Sequence, residues 1–169
     1  MSDVPLVLTS IDASDVAGLT AMMTASFDDS TRRNTGRERG GPPGYDTEEF
    51  FREWAVGKPY AWKAVDGDQV VGAVFAFPGE DGHHYLGRIF VDPAAQRRGY
   101  GGRIWDQVYD RFPEALSWTL DTPEAEVSNH LFYEGRCGFV LVDQVEADDG
   151  PSRIYRRSGP AATGAAGEG

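Results

Sequence analysis

The sequence predicts a mixed α/β domain of the α+β class, with a mostly antiparallel central sheet of six or seven strands and about four flanking helices. Between residues 60 and 91, three runs of β-branched and aromatic residues are separated by short glycine-containing turns, which is typical of consecutive antiparallel strands. A glycine-rich turn, a helix with one apolar face and another strand then follow in the sequence. This order is typical of two parallel strands that are connected through a helix. With 169 residues, the chain is long enough for one domain with a real core.

The first predicted elements are a strand and a helix. Val4–Ile11 is the strand, and Val16, Leu19, Met23 and Phe27 then repeat at the spacing of one apolar helix face. This pattern indicates a helix that packs on the sheet.

Residues 28–45 are predicted to form a loop. They have no apolar periodicity, and they combine glycine, proline and polar residues with four arginines. A loop of this length in a compact domain is usually either functional or disordered, and both readings stay open. A short helix follows, with Asp46 as its N-cap and Glu49 three residues later, which is the spacing of a capping box.

Three strands follow, connected by two turns. Tyr60–Val65 and Val70–Phe77 are joined through an Asp-Gly-Asp turn, and a second turn at Pro78–Gly82 leads into His83–Val91. These strands are therefore expected to form an antiparallel meander. Pro93 ends the pairing of the last of them.

The stretch after this strand places glycine and arginine at the start of a helix. The helix is expected to begin near Arg98 and to stop at Pro113, and its apolar stripe consists of Trp105, Val108, Tyr109 and Phe112. The first amides of a helix lack intrahelical partners and carry the positive end of the helix dipole. Glycines let an anion approach these amides, and a phosphate or pyrophosphate fits best. The competing interpretation is that the glycines only make the start of the helix flexible and that the arginines are solvated without binding a ligand.

Two other kinds of phosphate loop are excluded by the spacing. A Walker loop ends in Gly-Lys-Ser/Thr, and this turn contains no such tripeptide. A dinucleotide fingerprint needs G-x-G-x-x-G directly after a strand, and the glycines here are spaced differently.

The rest of the chain predicts a parallel strand, a helix and a closing hairpin. The strand is expected to run parallel to the fourth strand, and the last residues are Gly/Ala-rich and predict a disordered tail. The predicted ranges are Leu116–Asp121 for the strand, Glu124–Gly135 for the helix, Phe139–Val145 and Arg153–Arg156 for the hairpin, and Ser158–Gly169 for the tail.

Composition excludes several classes of function. The net charge of −11 disfavours nucleic acid and anionic membranes as partners. It suits a cationic substrate, or it only keeps the protein in solution. Cys137 is the single cysteine, so neither a disulfide framework nor a cysteine-rich zinc site is expected, and no metal site is predicted. No apolar run approaches the length of a membrane span, and the N-terminus lacks signal-peptide features, so a cytoplasmic protein is expected.

Two motifs resemble those of the GNAT N-acetyltransferase superfamily. Val91-Asp-Pro93 followed by Gln96-Arg-Arg-Gly99-Tyr-Gly101 resembles that family's V-x-P and Q/R-x-x-G-x-G/A signature. Asn129-His-Leu-Phe-Tyr133-Glu, with Gly138-Phe139 after it, is similar to the family's FYE…GF segment. The resemblance implies a GNAT-like domain at residues 1–157, before a tail at 158–169. It also implies that the fourth and fifth strands splay apart.

The resemblance implies acetyl-CoA as co-substrate and assigns roles to individual residues. The glycine-rich turn would hold the pyrophosphate, and backbone groups of the fourth strand would pair with the pantetheine arm. The implied cofactor-binding residues are Ile89, Phe90, Val91, Gln96, Arg97, Arg98, Gly99, Tyr100, Gly101, Gly102, Arg103 and Asn129. Tyr133 would be the general acid, because a phenol is protonated at neutral pH and can donate to a departing thiolate.

The general base is predicted separately. Many relatives use a carboxylate on the fourth strand, but the corresponding position here is Tyr85. His83 shares its face by period-two alternation, and histidine is the residue type suited to proton transfer near neutral pH, so His83 is the chosen base. Alternative bases are Glu80, Asp81 and Asp121.

This sequence departs from the family pattern in two places. Glu126 stands seven residues before Tyr133, where the family usually has asparagine. Five positions rather than four separate Tyr133 from Gly138, so the helix is expected to end early at Gly135, with a bulge after it.

The function predicted by this resemblance is transfer of an acetyl group from acetyl-CoA to a primary amine of a small molecule or peptide, by direct attack. The alternatives are a catalytically silent acyl-CoA-binding regulatory module, an enzyme for another acyl-CoA, and an unrelated phosphate-binding protein. Whether the chain forms a homodimer stays open.

Overall fold

The computed structural model of the chain describes residues 5–148 and 150–162. Its sheet has seven strands in the order β1-β2-β3-β4-β5-β7-β6. The strands are β1 Leu6–Ser10, β2 Ala61–Asp66, β3 Gln69–Phe77, β4 His83–Val91, β5 Ser117–Pro123, β6 Val140–Ala147 and β7 Gly150–Ser158. The α-helices are α1 Val16–Thr35, α2 Glu48–Trp54, α3 Tyr100–Arg111 and α4 Val127–Leu131. Short 3₁₀ turns cover Ala13–Asp15 and Pro93–Ala95, and a π-helical segment covers Phe132–Arg136.

The strand directions confirm the predicted fold class. β4 and β5 are parallel, whereas β1–β2, β2–β3, β5–β7 and β6–β7 are antiparallel. The parallel register has only three residue pairs, from His83↔Ser117 to Tyr85↔Thr119. Both strands continue beyond the last of these pairs, and β5 pairs with β7 as far as Pro123. The predicted parallel pairing of β4 and β5 is therefore confirmed over this short register.

The chain divides into two compact units. The first comprises the described residues through Phe75 together with Arg88–Ile104. In its core, one face of α1 packs with α2 and with strand residues. The buried apolar residues of this cluster are Ile11, Val16, Leu19, Met23, Phe51, Ala55, Ala61, Ala73, Phe75 and Phe90. The predicted α1 stripe is therefore confirmed.

Helix α1 is longer than predicted, so the loop prediction for residues 28–45 is wrong in its first eight residues. The polar residues there are poor helix formers, but tertiary contacts override their propensity. Thr31 is buried and donates its hydroxyl to the Gly40 carbonyl at 2.8 Å, while Asp29 and Arg33 form an ion pair at 3.0 Å across one helical turn. The helix ends at Gly36, whose φ of 78° is a left-handed C-cap.

The start of α2 also differs from the prediction. Thr47 rather than Asp46 is the N-cap, and its side chain makes no capping hydrogen bond. Asp46 instead faces Arg39 of the preceding loop at 3.5 Å.

The second unit comprises Ala76–Gly87 and the described residues from Trp105 onward. Its core is aromatic: the ring centroid of Trp105 lies 5.4 Å from that of Trp118 and 5.1 Å from that of Phe139. His84 is buried between Phe112 and Trp118, and its Nδ1 accepts a hydrogen bond from the Gly79 amide at 3.0 Å. The buried face of α3 contains the predicted Trp105 and Val108, Tyr109 is half-buried, and Phe112 is buried directly after the helix ends.

The helix that was predicted at Glu124–Gly135 is shorter in the structure, and a π-helical segment follows it. Helix α4 covers only Val127–Leu131, and the π-helical segment follows it directly. In this segment the Cys137 amide donates to the Phe132 carbonyl at 3.1 Å, a bond between residues five apart. The wider turn absorbs the extra residue between Tyr133 and Gly138.

The C-terminal residues are ordered a little beyond β7. The amides of Gly159 and Ala161 donate to the carbonyls of Leu116 and Ala115 at 2.9 and 3.0 Å. Residues 163–169 of the predicted tail lie outside the described residues, so the disordered tail and the domain limits stay predictions. Among the described residues, no helix combines the length and the apolar character needed to cross a membrane.

Candidate functional site

In the first unit, the end of β4 lies very close to β3. A side chain at Gly72 would meet the Phe90 carbonyl oxygen at 2.3 Å, so only glycine allows this approach. The Asp92 amide then donates to the Val71 carbonyl at 2.7 Å. These contacts fix the point from which the glycine-rich turn departs.

The turn after β4 contains two residues in the left-handed region. Arg97 has a φ of 69° and Gly99 a φ of 77°, and both are exposed, as is Arg98 between them. A non-glycine residue with this φ costs about 1–2 kcal/mol, and such strain is concentrated at functional sites. Left-handed residues within a turn curve the backbone so that successive amides can face one anion. The predicted phosphate turn therefore has a suitable backbone.

The first residues of α3 are fixed by contacts of the Tyr100 side chain. Tyr100 is buried, and its hydroxyl donates to the Asp66 carboxylate. The Arg103 guanidinium lies 5.6 Å from the centroid of the Tyr100 ring, and the Arg103 amide donates to the Gly99 carbonyl at 3.2 Å. The Tyr100 side chain thus holds the turn in place, which leaves its backbone to contact a ligand.

The predicted cofactor residues of β4 differ in burial. Phe90 is buried in the core, whereas Ile89 and Val91 are half-buried. Gln96 donates its side-chain amide to the Val91 carbonyl at 3.3 Å. The Phe90 side chain is used in packing, in keeping with a backbone role at this strand.

In the second unit, Tyr133 belongs to the π-helical segment, and its ring packs among other aromatic rings. Its ring centroid is 5.2 Å from that of Phe132, 6.0 Å from that of Phe139 and 6.3 Å from that of Tyr155. Burial raises the pKa of Tyr133 above its ordinary value, and the neighbouring Cys137, Tyr85 and Asp121 act in the same direction. The phenol therefore keeps its proton at neutral pH, as a general acid must.

The two candidate bases have different surroundings. His83 is exposed, and its Nδ1 lies 2.7 Å from the Ser117 hydroxyl oxygen. Asp121 is exposed on β5 and accepts a hydrogen bond from the Tyr85 hydroxyl. Because Tyr85 and Asp121 both influence the pKa of Tyr133, these three acidic groups form one cluster.

The Asn129 side chain makes a hydrogen bond within the second unit. Its side-chain amide donates to the Thr122 hydroxyl at 3.1 Å, which connects α4 to the end of β5. The free lone pairs of an amide oxygen still allow a contact with a ligand.

Asp28 fixes the loop between α1 and α2, a role that sequence reasoning missed. The side chain is 12% exposed, and its carboxylate accepts from the Tyr45 hydroxyl at 2.7 Å and from the Gly40 amide at 3.0 Å, with Arg39 Nε at 3.3 Å. Burial by itself would raise the pKa of Asp28, but these three donors lower it below its ordinary value. The carboxylate therefore stays charged and stabilises the loop.

Arg88 of β4 contacts the same loop from another side. Its guanidinium lies 3.8 Å above the Phe50 ring and 3.7 Å from the Met23 sulfur, and it donates to the Pro43 carbonyl. Nothing in a single sequence relates these distant positions, so Arg88 could not be predicted.

Replacing Asp28 is expected to destabilise the protein. Asp28→Ala removes three hydrogen bonds to a charged group and leaves the Tyr45 hydroxyl and the Gly40 amide without this acceptor, at a cost of about 2 kcal/mol in the free energy of unfolding. Because the folded pKa is lowered, the stability from this carboxylate is complete above the unfolded pKa near 4 and is lost as pH falls through the folded value. Urea unfolding of the protein and of Asp28→Ala between pH 3 and 7 checks this. A stability difference that does not shrink on acidification contradicts it.

Among the described residues, no group of three histidine, cysteine, aspartate or glutamate side chains could hold a metal ion. Cys137 is buried, and burial raises the pKa of its thiol to about 12, so this thiol is not a ready nucleophile.

Comparison with known proteins supports the same family as the motifs. The family model of the acetyltransferase (GNAT) family matches residues 23–139. No curated protein matches the chain by sequence.

Several solved structures share the fold at low sequence identity. The ribosomal-protein-S18-alanine N-acetyltransferase from Escherichia coli is 14% identical with a TM-score of 0.67, and the match covers 91% of this chain and 94% of that one. PaiA N-acetyltransferase from Thermoplasma acidophilum, solved with coenzyme A, is 13% identical with a TM-score of 0.68 over 91% and 99% of the two chains. A Bacillus anthracis protein proposed to be a streptothricin acetyltransferase, solved with acetyl coenzyme A, is 17% identical with a TM-score of 0.65 over 91% and 98%.

Proposed function

Because the chain belongs to the GNAT acetyltransferase family, we propose that it transfers the acetyl group of acetyl-CoA to a primary amine of a small molecule or peptide. The observation that carries this proposal is the strained, arginine-rich turn at the start of α3. Two left-handed residues and three exposed arginines at a helix N-terminus make a site for a diphosphate, the anionic group that joins the pantetheine arm of acetyl-CoA to its adenosine.

In the first unit, the proposed role of the turn is to bind the cofactor. Backbone amides from Gln96 to Gly102 and the arginine side chains surround the pyrophosphate, while backbone groups of Ile89, Phe90 and Val91 pair with the pantetheine arm. The arginines are Arg97, Arg98 and Arg103. Their charges complement the diphosphate in a chain that is otherwise acidic, with a net charge of −11. Acetyl-CoA supplies the thioester that is attacked.

In the second unit, the proposed role of Tyr133 is to return a proton. The neutral amine nitrogen attacks the thioester carbonyl carbon, so that a carbon–nitrogen bond forms and the carbon–sulfur bond then breaks. The departing thiolate takes the Tyr133 hydroxyl proton, and the proton of the amine goes to a base or to water. Tyr133 holds its proton before the reaction begins, as this role requires. Asn129 is proposed as a further contact to the cofactor.

For the base we infer that Asp121 is the stronger candidate and His83 the weaker one. The carboxylate of Asp121 is exposed, and its hydrogen bond from Tyr85 connects it to the group that includes Tyr133. The Nδ1 of His83 is engaged with Ser117. Neither Glu80 nor Asp81 has a comparable connection to Tyr133 in the part of the chain that the structure describes.

Replacing the two candidate bases separately distinguishes them. Asp121→Asn is expected to lower kcat about tenfold or more near pH 7, which is a typical loss for general-base catalysis. The loss is expected to shrink at higher pH, where the amine loses its proton without help. Steady-state kinetics of Asp121→Asn and His83→Gln between pH 6 and 9.5 checks this. A larger loss in the histidine variant would assign the role to His83 instead.

The function itself is tested with a panel of amines and detection of the released CoA thiol. The panel contains polyamines, aminoglycosides, amino acids and peptides with free N-termini. Thiol release that depends on one of these amines, with the acetylated amine identified by mass spectrometry, supports the proposal. Tight binding of acetyl-CoA without release of CoA across the panel would favour a catalytically silent acyl-CoA-binding module.

A further inference from the structure

Tyr155 of β7 is a buried tyrosine with two polar partners. Its side chain is 0% exposed, and its hydroxyl donates to Glu134 Oε2 at 2.6 Å and accepts from Arg153 Nη1 at 3.1 Å. Burial raises the pKa of Tyr155 above its ordinary value, and the hydrogen bond to Glu134 acts in the same direction. The hydroxyl is therefore a permanent donor at physiological pH.

The partners of Tyr155 connect β7 to both ends of one segment. Arg153 binds the Glu124 carboxylate with two hydrogen bonds of 2.7 and 2.9 Å, and Glu124 precedes α4. Glu134 lies in the π-helical segment that follows α4. The strand thus holds the segment from residue 124 to residue 136 at its beginning and near its end.

The π-helical segment needs such support because its geometry is intrinsically unfavourable. A π-turn accommodates one extra residue, and without outside contacts the chain could place that residue at another point of the helix. Moving it across position 133 would turn the Tyr133 side chain to another direction, since each residue of a helix rotates by about 100°. Glu134 is next to Tyr133, so a bond to Glu134 selects the arrangement seen here.

We propose that Tyr155 is a positioning residue, which fixes the π-helical segment through Glu134 and thereby orients the Tyr133 hydroxyl. The inference rests on the proposed function, because only there does the direction of that hydroxyl matter for turnover. The contact of the two rings, with centroids 6.3 Å apart, restricts the movement of Tyr133 further. Tyr155 itself is not proposed to touch the substrate.

Hydrogen–deuterium exchange tests the support of the segment without any measurement of activity. In Tyr155→Phe, amides of residues 127–137 are expected to exchange about tenfold faster, while those of α1 keep their protection. Tyr109→Phe is the matched control, since it removes another hydroxyl of the same unit, which donates to the Ser158 carbonyl at 3.1 Å. Exchange in this segment equal to that of the unmodified protein would overturn the proposal.

A double-mutant cycle tests the positioning of Tyr133. Tyr155→Phe is expected to lower kcat about fivefold with an unchanged Kd for acetyl-CoA, and to cause no further loss when Tyr133 is already phenylalanine. An equal loss in both backgrounds would mean a general structural role and would overturn the proposal. If Tyr155→Phe does not fold, Glu134→Gln and Glu134→Ala replace it. The amide keeps an acceptor for Tyr155, so only the alanine variant should lose turnover.

The two failures can be told apart. If the unmodified protein transfers no acetyl group to any amine, the proposed function fails, and the exchange experiment still decides whether Tyr155 holds the segment. If transfer is normal in Tyr155→Phe, the positioning role fails and the proposed function is untouched.

Discussion

Gly99→Val is expected to weaken acetyl-CoA binding at least tenfold. Gly99 has a φ of 77°, which a β-branched residue can adopt only with strain, although no atom lies within 4 Å of the position of an added Cβ. The variant therefore moves the backbone of the turn rather than clashing with a neighbour. Amides that no longer face the diphosphate lose their charge-assisted hydrogen bonds, and about 1.4 kcal/mol of lost binding free energy is already tenfold in Kd.

Gly57→Val is the matched control for this prediction. Gly57 has a φ of 72° and equally open space around an added Cβ, but it lies in the turn after α2. Both variants should lose similar stability in thermal unfolding, and only Gly99→Val should raise the Kd measured by calorimetry. Equal Kd values for the two variants would show that the Gly99 turn does not bind the cofactor.

Tyr133→Phe is expected to lower kcat tenfold or more, the size of one general-acid contribution. The substitution removes only the hydroxyl, so the packing of the ring against Phe139 and Tyr155 should persist. The Kd for acetyl-CoA should stay within about twofold, because the proposed role of the hydroxyl begins when the thiolate leaves. Steady-state kinetics combined with calorimetry separates the two quantities.

Tyr109→Phe again serves as the comparison, because it removes a tyrosine hydroxyl from the same unit at a place with no proposed catalytic role. Near-normal turnover in Tyr133→Phe would remove this residue from the mechanism. Loss of turnover together with loss of acetyl-CoA binding would assign it to the binding of the cofactor instead.

The fold was predictable where one local signal dominated. The limits of β4 agree with the prediction, because a turn with glycine precedes His83 and a proline follows Val91. The length of α1 was not predictable, since its last two turns are polar and depend on contacts of Asp28 and Thr31 with a loop some ten residues later. Local propensity and tertiary contacts disagree there, and the tertiary contacts decide.

The candidate site was predictable in part for the same reason. The phosphate turn has a motif, and the extra residue before Gly138 already indicated an irregular turn after Tyr133. The hydrogen bond between Tyr85 and Asp121 depends on the register of two parallel strands that are far apart in the sequence. A period-two pattern assigns residues to faces of a strand, but it contains no information on the register between strands. The preference for Asp121 over His83 therefore required the structure.

The most direct measurement compares acetyl-CoA with acetyl-pantetheine, which has the same thioester and arm but lacks the diphosphate and the phosphorylated adenosine attached to it. If the turn from Gln96 to Gly102 binds a diphosphate, calorimetry should detect acetyl-CoA at micromolar concentrations and acetyl-pantetheine at least about a hundredfold more weakly, a difference of about 2.7 kcal/mol. The affinity for acetyl-CoA should also fall as salt is added, because exposed arginines are screened. Equal affinities for the two thioesters would contradict the assignment of this turn and the acetyl-transfer function built on it.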